Sequence, residues 1–141
     1  TIPDKLTSEQ AVFAQIGAIA MNAILDSDIQ LTDRVIVFGQ GVPGLLATRM
    51  AVLSGARVFA VDLRAERLTV ARDFGALQTI ELSGQDLVEV IDELTGGSGC
   101  DTAIEFSGAL PALRDAVRCL RYNGRVVASG FYQTGTTDLL L

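Results

Sequence analysis

The sequence of 141 residues contains no histidine, no tryptophan and only two cysteines. Without histidine the chain cannot assemble a Ser-His-Asp triad or a Cys-His pair from its own residues. Two cysteines are also too few for an ordinary zinc site, which has four Cys, His or carboxylate ligands, or three and a water. Cys100 and Cys119 belong to no motif, so we expect two reduced, buried thiols.

Positive charge is scarce as well. The chain has 11 Lys and Arg against 17 Asp and Glu, a formal charge of −6, which argues against a nucleic-acid partner. Hydrophobic residues make up 49% of the chain, too many for a disordered protein, and the length suits one domain with one core.

Long uninterrupted apolar runs are missing. The stretch of residues 11–25 is broken by Gln15 and Asn22 and is too short and too polar for a spanning helix. It also lacks the basic flank and small-residue cleavage site of a secretory signal. We therefore expect a cytoplasmic protein without a membrane partner.

From residue 34 onward, short β-branched runs alternate with segments of helical period. This alternation predicts an α/β fold, a doubly wound parallel sheet of about five to six strands with helices on both faces. The predicted strands are residues 34–38, 57–62, 78–82, 101–106 and 124–129, and the predicted helices lie near 43–54, 65–74, 87–94 and 113–120. The tail ends in Asp-Leu-Leu-Leu, where a further element is expected to begin.

The first 32 residues follow a different pattern. Residues 8–25 predict one helix, with Thr7 or Ser8 as N-cap, that is apolar on every side. A single sheet can cover only one side of such a helix. Either a second copy of the chain or a segment outside it is therefore expected to cover the rest.

A glycine motif, Gly39-Gln-Gly41-Val-Pro-Gly44, lies between the first predicted strand and helix. In a G-x-G-x-x-G of this context the first glycine permits the tight turn and the second lets the backbone approach a pyrophosphate. The third lets helix and sheet pack closely. The helix N-terminus adds unpaired N–H groups and the positive end of its dipole. The motif predicts a dinucleotide-binding site.

An acidic residue, Asp62, ends the second strand roughly 20 residues beyond the motif, where it can accept hydrogen bonds from the adenosine ribose. A 2′-phosphate there would meet a carboxylate, so NAD is favoured over NADP. Arg64 and Arg67 either flank the adenine or are solvated cations at the start of a helix.

Other polar residues predict less. Asp101 and Glu105 share a strand face but lie ~13 Å apart, too far for a working carboxylate pair. One is expected to cap a strand end, and the other to be a buried or interface carboxylate. Ser107-Gly108 and Gly130-Phe131 end the fourth and fifth strands, whose carboxyl ends border the ligand crevice in a doubly wound sheet.

Two long blocks of the sequence resemble the cofactor domain of medium-chain, zinc-type alcohol dehydrogenases. They are Asp33-Arg-Val-Ile-Val-Phe-Gly-Gln-Gly-Val-Pro-Gly-Leu-Leu-Ala47 and Gly55-Ala-Arg-Val-Phe-Ala-Val-Asp62. Residues 66–76, 99–108 and 120–130 continue the likeness, which extends over about residues 33–132.

The resemblance implies a dinucleotide-binding domain, residues 33–141, preceded by a linker and interdomain helix in residues 1–32. The parent enzyme would transfer a hydride between NAD and an alcohol or polyol. Its zinc ligands and substrate pocket would lie in a catalytic domain absent from this chain, so the chain alone is expected to be inactive.

Carried over by position, the resemblance also implies the contacts of NAD(H). The pyrophosphate would lie against Gly39, Gly41, Val42, Pro43 and Gly44, the adenosine against Asp62, Leu63, Arg64 and Arg67, and the nicotinamide against Phe106, Ser107, Gly130 and Phe131.

Two other classes of protein share parts of this pattern. Nucleotide-sensing regulatory domains of potassium transporters are also Rossmann domains of similar length, but the stretch of residues 82–105 fits a dehydrogenase better. Methyltransferases that bind S-adenosylmethionine usually carry an acidic residue within the first strand, and residues 34–38 have none.

Overall fold

The computed structural model describes residues 2–132, and within them five parallel strands form one sheet in the order β3-β2-β1-β4-β5. The predicted doubly wound sheet is confirmed. The strands are β1 Arg34–Phe38, β2 Arg57–Asp62, β3 Gln78–Glu81, β4 Cys100–Glu105 and β5 Leu120–Ala128. The helices are α1 Ser8–Ala11, α2 Ala14–Ser27, α3 Val42–Leu53, α4 Ala65–Asp73, α5 Leu87–Thr95 and α6 Leu110–Arg118.

The central strand β1 is apolar on both faces because both faces are covered. Ile36 and Phe38 lie in a core cluster with residues of α5 and α6, on one side of the sheet. Val35 and Val37 alternate with them and lie in the opposite cluster, with residues of α2 and α3. A continuous β-branched run is the pattern expected of such a strand.

The N-terminal helix differs from its prediction in one respect. The predicted single helix of residues 8–25 is two helices, because the Phe13 N–H donates to the Gln10 carbonyl three residues back, and the ladder restarts at Ala14. Thr7 caps α1 and forms a capping box with Gln10, as one of the two expected N-caps.

Only one side of α2 is buried, through Ala20, Ala23 and Ile24, which pack against the sheet and α3. The other side exposes large apolar residues, and Leu25 is 70% exposed. Within residues 2–132, no helix combines the length and the apolar character needed to cross a bilayer.

The last strand starts earlier than predicted. β5 begins at Leu120 instead of residue 124, because Leu120 pairs with Cys100 before a register shift separates it from the pairing of Arg125 with Thr102. Asn123, with a φ of 61°, lies within this irregular stretch. The element expected in the Asp-Leu-Leu-Leu tail lies outside the described residues.

At the edge of the sheet where β1 and β4 begin, Asp101 connects neighbouring strands. Its carboxylate accepts hydrogen bonds from the Arg34 N–H at 2.8 Å and from the Arg121 side chain at 2.6 Å. Burial alone would raise the pKa of this carboxyl, but these two hydrogen bonds and the two positive charges lower its pKa overall. The strand-end cap expected of one carboxylate is thus Asp101.

The topology places the candidate site. The chain runs outward from β1 to β2 and β3 and then returns to β4 on the other side of β1. The loops after β1 and β4 therefore leave the sheet in opposite directions, and a crevice opens between them at the carboxyl edge.

Candidate functional site

The turn between β1 and α3 begins at Gly39, whose φ of 82° lies in the left-handed region. Its N–H donates to the Val61 carbonyl at 2.9 Å, which ties the turn to β2. A Cβ at Gly39 would come within 2.9 Å of the Ser107 nitrogen, in the loop after β4. Both the turn and this close approach therefore require glycine.

The other two glycines of the motif differ from each other. A Cβ at Gly44 would lie 1.8 Å from the Gly39 carbonyl oxygen, so glycine is needed for the first turn of α3 to pass beneath the loop. Gly41 has an ordinary φ of −69°, and a Cβ added to it would come no nearer than 3.9 Å to the Pro43 Cδ, its nearest neighbour. Nothing in the described part of the protein requires glycine at position 41.

The N-terminus of α3 is available to an anion. Gly41 is the N-cap, and no side chain among the described residues caps this end. The first N–H groups of a helix have no intrahelical partner and carry the positive end of the dipole. Pro43, which has no N–H, lies where the loss of that donor removes no helical hydrogen bond.

Asp62 joins the turn to the end of β2. Its carboxylate accepts the Gln40 N–H at 2.6 Å and the Arg64 N–H at 2.9 Å, one on each oxygen. The Arg67 guanidinium lies 3.5 Å from the oxygen that Gln40 contacts. Asp62 is only 6% exposed, yet it lines a cavity, and a carboxylate with one N–H donor on each oxygen retains acceptor capacity.

The two arginines after β2 are held differently. Arg67 pairs with Asp62, whereas Arg64 lies 3.6 Å from Glu66 in an exposed ion pair of small energetic weight. Both also line the cavity beside Asp62.

Gln40 is not among the predicted site residues, although it is fully buried beneath the glycine turn. Its amide donates to the Val37 carbonyl at 2.9 Å, and its oxygen accepts the Thr48 hydroxyl at 2.9 Å. These bonds join the turn to β1 and α3. A polar residue directly after a buried strand is the signal that could have indicated this role.

Glu105, the last residue of β4, is the second buried carboxylate at this edge and is fully buried. It accepts the Ser107 N–H at 2.6 Å, the Gly108 N–H at 3.2 Å and the hydroxyls of Ser107 and Tyr132. The sequence interpretation of a buried carboxylate is therefore correct. Its partners were not predicted, because Tyr132 lies in a different loop.

A cavity of about 560 Å³ opens along this edge, within the range of small-molecule sites. Of the residues predicted to bind a ligand, the cavity is lined by Gly39, Gly41, Asp62, Leu63, Arg64, Arg67, Phe106 and Ser107. The lining also includes residues that were not predicted, among them Leu82, Ala109, Pro111, Ala112 and Asp115. Residues from four separate stretches of the sequence, within 38–41, 61–67, 82 and 106–115, thus meet at one cavity.

The remaining predicted residues lie around this cavity and not in its lining. Val42 and Pro43 are in the first turn of α3, and Gly44 is buried under the turn. Gly130 and Phe131 follow β5, next to the loop after β4, since a Cβ at Gly108 would meet the Phe131 carbonyl oxygen at 2.5 Å. Phe131 is 80% exposed.

The comparisons with known proteins agree with this geometry. The family described as "Zinc-binding dehydrogenase" matches residues 43–140. An alcohol dehydrogenase of Cupriavidus necator is 35% identical over 138 residues, which are 96% of this chain and 38% of that protein. The (R,R)-butanediol dehydrogenase of Bacillus subtilis is 33% identical over 135 residues, 95% of this chain and 39% of that protein.

Solved structures give the same result. The alcohol dehydrogenase TADH from Thermus sp. ATN1 superposes with a TM-score of 0.88 at 31% identity, covering 96% of this chain and 40% of that one. A structure from Sinorhizobium meliloti 1021 that contains NADP has a TM-score of 0.90 at 29% identity, with 96% and 41% covered. The chain spans about two fifths of the length of these relatives and belongs to the zinc-binding dehydrogenase family.

Proposed function

We propose that the chain binds NAD(H) along the cavity at the carboxyl edge of its sheet. In this proposal residues 33–141 are the cofactor domain of a dehydrogenase that acts on an alcohol or polyol. When bound, the nicotinamide supplies the hydride chemistry. The contribution of this chain is to hold the dinucleotide in one orientation.

The observation that carries the proposal is Gly41. Gly39 and Gly44 are explained by the fold, because a side chain at either position would clash with backbone atoms. Gly41 has no such explanation, since its backbone angles suit any residue and a Cβ there would have no atom nearer than 3.9 Å beyond its two chain neighbours. A glycine that the fold does not require, at an uncapped helix N-terminus, suits a pyrophosphate in van der Waals contact with the backbone.

Asp62 supports NAD over NADP. Its carboxylate lines the cavity and has acceptor capacity left for ribose hydroxyls. A 2′-phosphate would place its negative charge against this carboxylate. Arg64 and Arg67 reduce that penalty, so we propose a preference for NAD and not a strict exclusion of NADP.

Phe106 and Ser107 support a position for the nicotinamide at the other end of the cavity. They lie at the end of β4, across the glycine turn from Asp62. In this proposal Gly130 and Phe131, on the segment after β5, flank the same end.

The substrate and the metal are proposed for the whole enzyme. The relatives include proteins described as (R,R)-butanediol dehydrogenase and D-arabitol-phosphate dehydrogenase, which favours an alcohol or polyol. Among the residues that the structure describes, His, Cys, Asp and Glu do not gather in groups of three that could hold a metal. We propose that zinc is held by a catalytic domain outside this chain, packed near the exposed side of α2.

The test is calorimetric titration of the chain with NADH and NADPH. We expect NADH to bind more tightly than NADPH. Asp62→Asn should lower the affinity for NADH by about tenfold and make the affinities for NADH and NADPH more similar. Glu93→Gln removes an exposed carboxylate of α5 that does not line the cavity, and should leave both affinities unchanged. A folded wild-type chain that binds neither dinucleotide at about 1 mM would refute the proposal.

A further inference from the structure

The Glu105 side chain joins two loops that the sheet itself leaves unconnected. The strands β4 and β5 pair as far as the Ser129 N–H, which donates to the Glu105 backbone carbonyl at 2.9 Å. Beyond that point the Glu105 carboxylate continues the connection. One oxygen accepts from Ser107, the other accepts the Tyr132 hydroxyl, and the Gly108 N–H lies 3.2 Å from both.

The same two loops approach each other more closely than side chains would allow. A Cβ at Gly108 would lie 2.5 Å from the Phe131 carbonyl oxygen. A Cβ at Gly130 would lie 2.4 Å from a Glu105 carboxylate oxygen and 2.5 Å from the Gly108 nitrogen. The two glycines therefore permit the close approach of the two loops at the same place where the Glu105 carboxylate connects them.

For packing of the core alone, a carboxylate is an unfavourable side chain at position 105. Burial of a carboxylate is unfavourable unless it accepts several hydrogen bonds, and each donor here is a neutral group. An apolar residue would fill the same volume without burying a charge, but it would leave the Ser107 and Gly108 N–H groups without this acceptor. What the carboxylate adds is a fixed geometry for Ser107 on one side and for residues 130–132 on the other.

We propose that Glu105 is a positioning residue that fixes the wall at the nicotinamide end of the cavity, which the loop after β4 forms, by holding that loop against the loop after β5. It acts through Ser107, which lines the cavity, and through Tyr132, which anchors the segment containing Gly130 and Phe131. Glu105 does not itself line the cavity. This inference rests on the proposed binding of NAD(H).

Two ligands separate positioning of this wall from a general effect on the fold. NADH has the nicotinamide, whereas ADP-ribose shares its adenosine and pyrophosphate and lacks the ring. We expect Glu105→Gln and Tyr132→Phe each to lower the affinity for NADH by about fivefold to tenfold and to change the affinity for ADP-ribose by less than about twofold. Asp62→Asn, at the adenosine end, is the matched control and should weaken both ligands.

The outcomes are distinct. Equal loss of NADH and ADP-ribose in the Glu105 and Tyr132 variants would show a merely structural role and overturn the inference. Unchanged affinity for both ligands would overturn it as well, and so would a wild-type chain that binds NADH no more tightly than ADP-ribose. A wild-type chain that binds neither ligand would instead refute the proposed function on which the inference rests.

A spectroscopic measurement reports the contact itself. Burial, and then the hydrogen bond to Glu105 and its negative charge, raise the pKa of the Tyr132 hydroxyl. The chain has two tyrosines, and Tyr132→Phe identifies their separate contributions to an ultraviolet titration. Glu105→Gln should lower the pKa of Tyr132. An unchanged titration would show that the two side chains do not interact and would overturn the proposed anchor.

Discussion

Replacement of Gly41 by alanine tests whether the space beside this residue belongs to a ligand. The new Cβ would have its nearest protein neighbour at 3.9 Å, and the backbone angles of −69° and −174° suit alanine. Alanine is a poorer N-cap than glycine, but it also restricts the unfolded chain. These effects oppose each other, so we expect the free energy of unfolding to change by less than about 1 kcal/mol.

The effect on binding should be much larger than the effect on stability. A methyl group at position 41 would occupy the space in which, under the proposed function, a pyrophosphate contacts the start of α3. We expect the affinity for NADH to fall by tenfold or more, about 1.4 kcal/mol, while the melting temperature changes by less than roughly 4 °C. Titration calorimetry and thermal unfolding monitored by circular dichroism measure the two quantities on the same samples.

Gly44→Ala is the matched comparison because it makes the same chemical change three residues away. Its Cβ would lie 1.8 Å from the Gly39 carbonyl oxygen, a clash that only a backbone shift can relieve. We expect a loss of about 3 kcal/mol or more and a melting temperature lower by roughly 10 °C. If Gly41→Ala folds normally and binds NADH as tightly as the wild type, the assignment of that space to a pyrophosphate is wrong.

Four further predictions concern the buried thiols, Asp101 and the orientation of α2. Burial raises the pKa of the Cys100 and Cys119 thiols to about 12, so Ellman's reagent should react slowly with the native chain at pH 8 and rapidly in guanidinium chloride. In the folded chain the two thiols keep their protons above pH 9.0, the ordinary pKa of a cysteine, so the free energy of unfolding should fall as the pH rises from 9 towards 12. A free energy of unfolding from urea titrations that stays constant over this pH range would contradict this prediction. Because the pKa of Asp101 is lowered in the folded chain, this carboxylate stabilises the fold at pH values above 3.8, its ordinary pKa, and the contribution should be lost as the pH falls below that value. Asp101→Asn should therefore make the free energy of unfolding depend less on pH in the acidic range. Leu25→Glu, on the exposed side of α2, should change the unfolding free energy by less than about 0.5 kcal/mol, whereas Ala23→Glu on the buried side should prevent folding; equal effects would refute the assigned orientation of the helix.

The order of strands and helices, and the turn that contains Gly39, could be predicted because each depends on residues close together in the chain. A buried parallel strand is a continuous apolar run, and the glycine turn follows it directly. The break between α1 and α2 could not be predicted in this way. The residues around it are as apolar as the rest of that segment, and the difference lies in a single backbone hydrogen bond of Phe13.

The lining of the cavity was only partly predictable for a related reason. One wall comes from the loop after β1 and the end of β2, where the motif and Asp62 mark it. Another part of the lining comes from α6, whose Pro111 and Ala112 are residues of an ordinary amphipathic helix in the sequence. Their position in the cavity follows from the return of the chain to β4, which local patterns do not specify.

Asp62 and Glu105 show why a carboxylate at a strand end cannot be assigned a role from sequence alone. They end the strands on either side of β1, and Phe38 pairs with Glu105 on one side and with Val61, next to Asp62, on the other. Both carboxylates accept backbone N–H groups of the loops that follow. They differ in access, since Asp62 lines the cavity and Glu105 is fully buried behind it. The first is therefore placed to recognise a ligand, and the second can act on a ligand only through the residues that it holds.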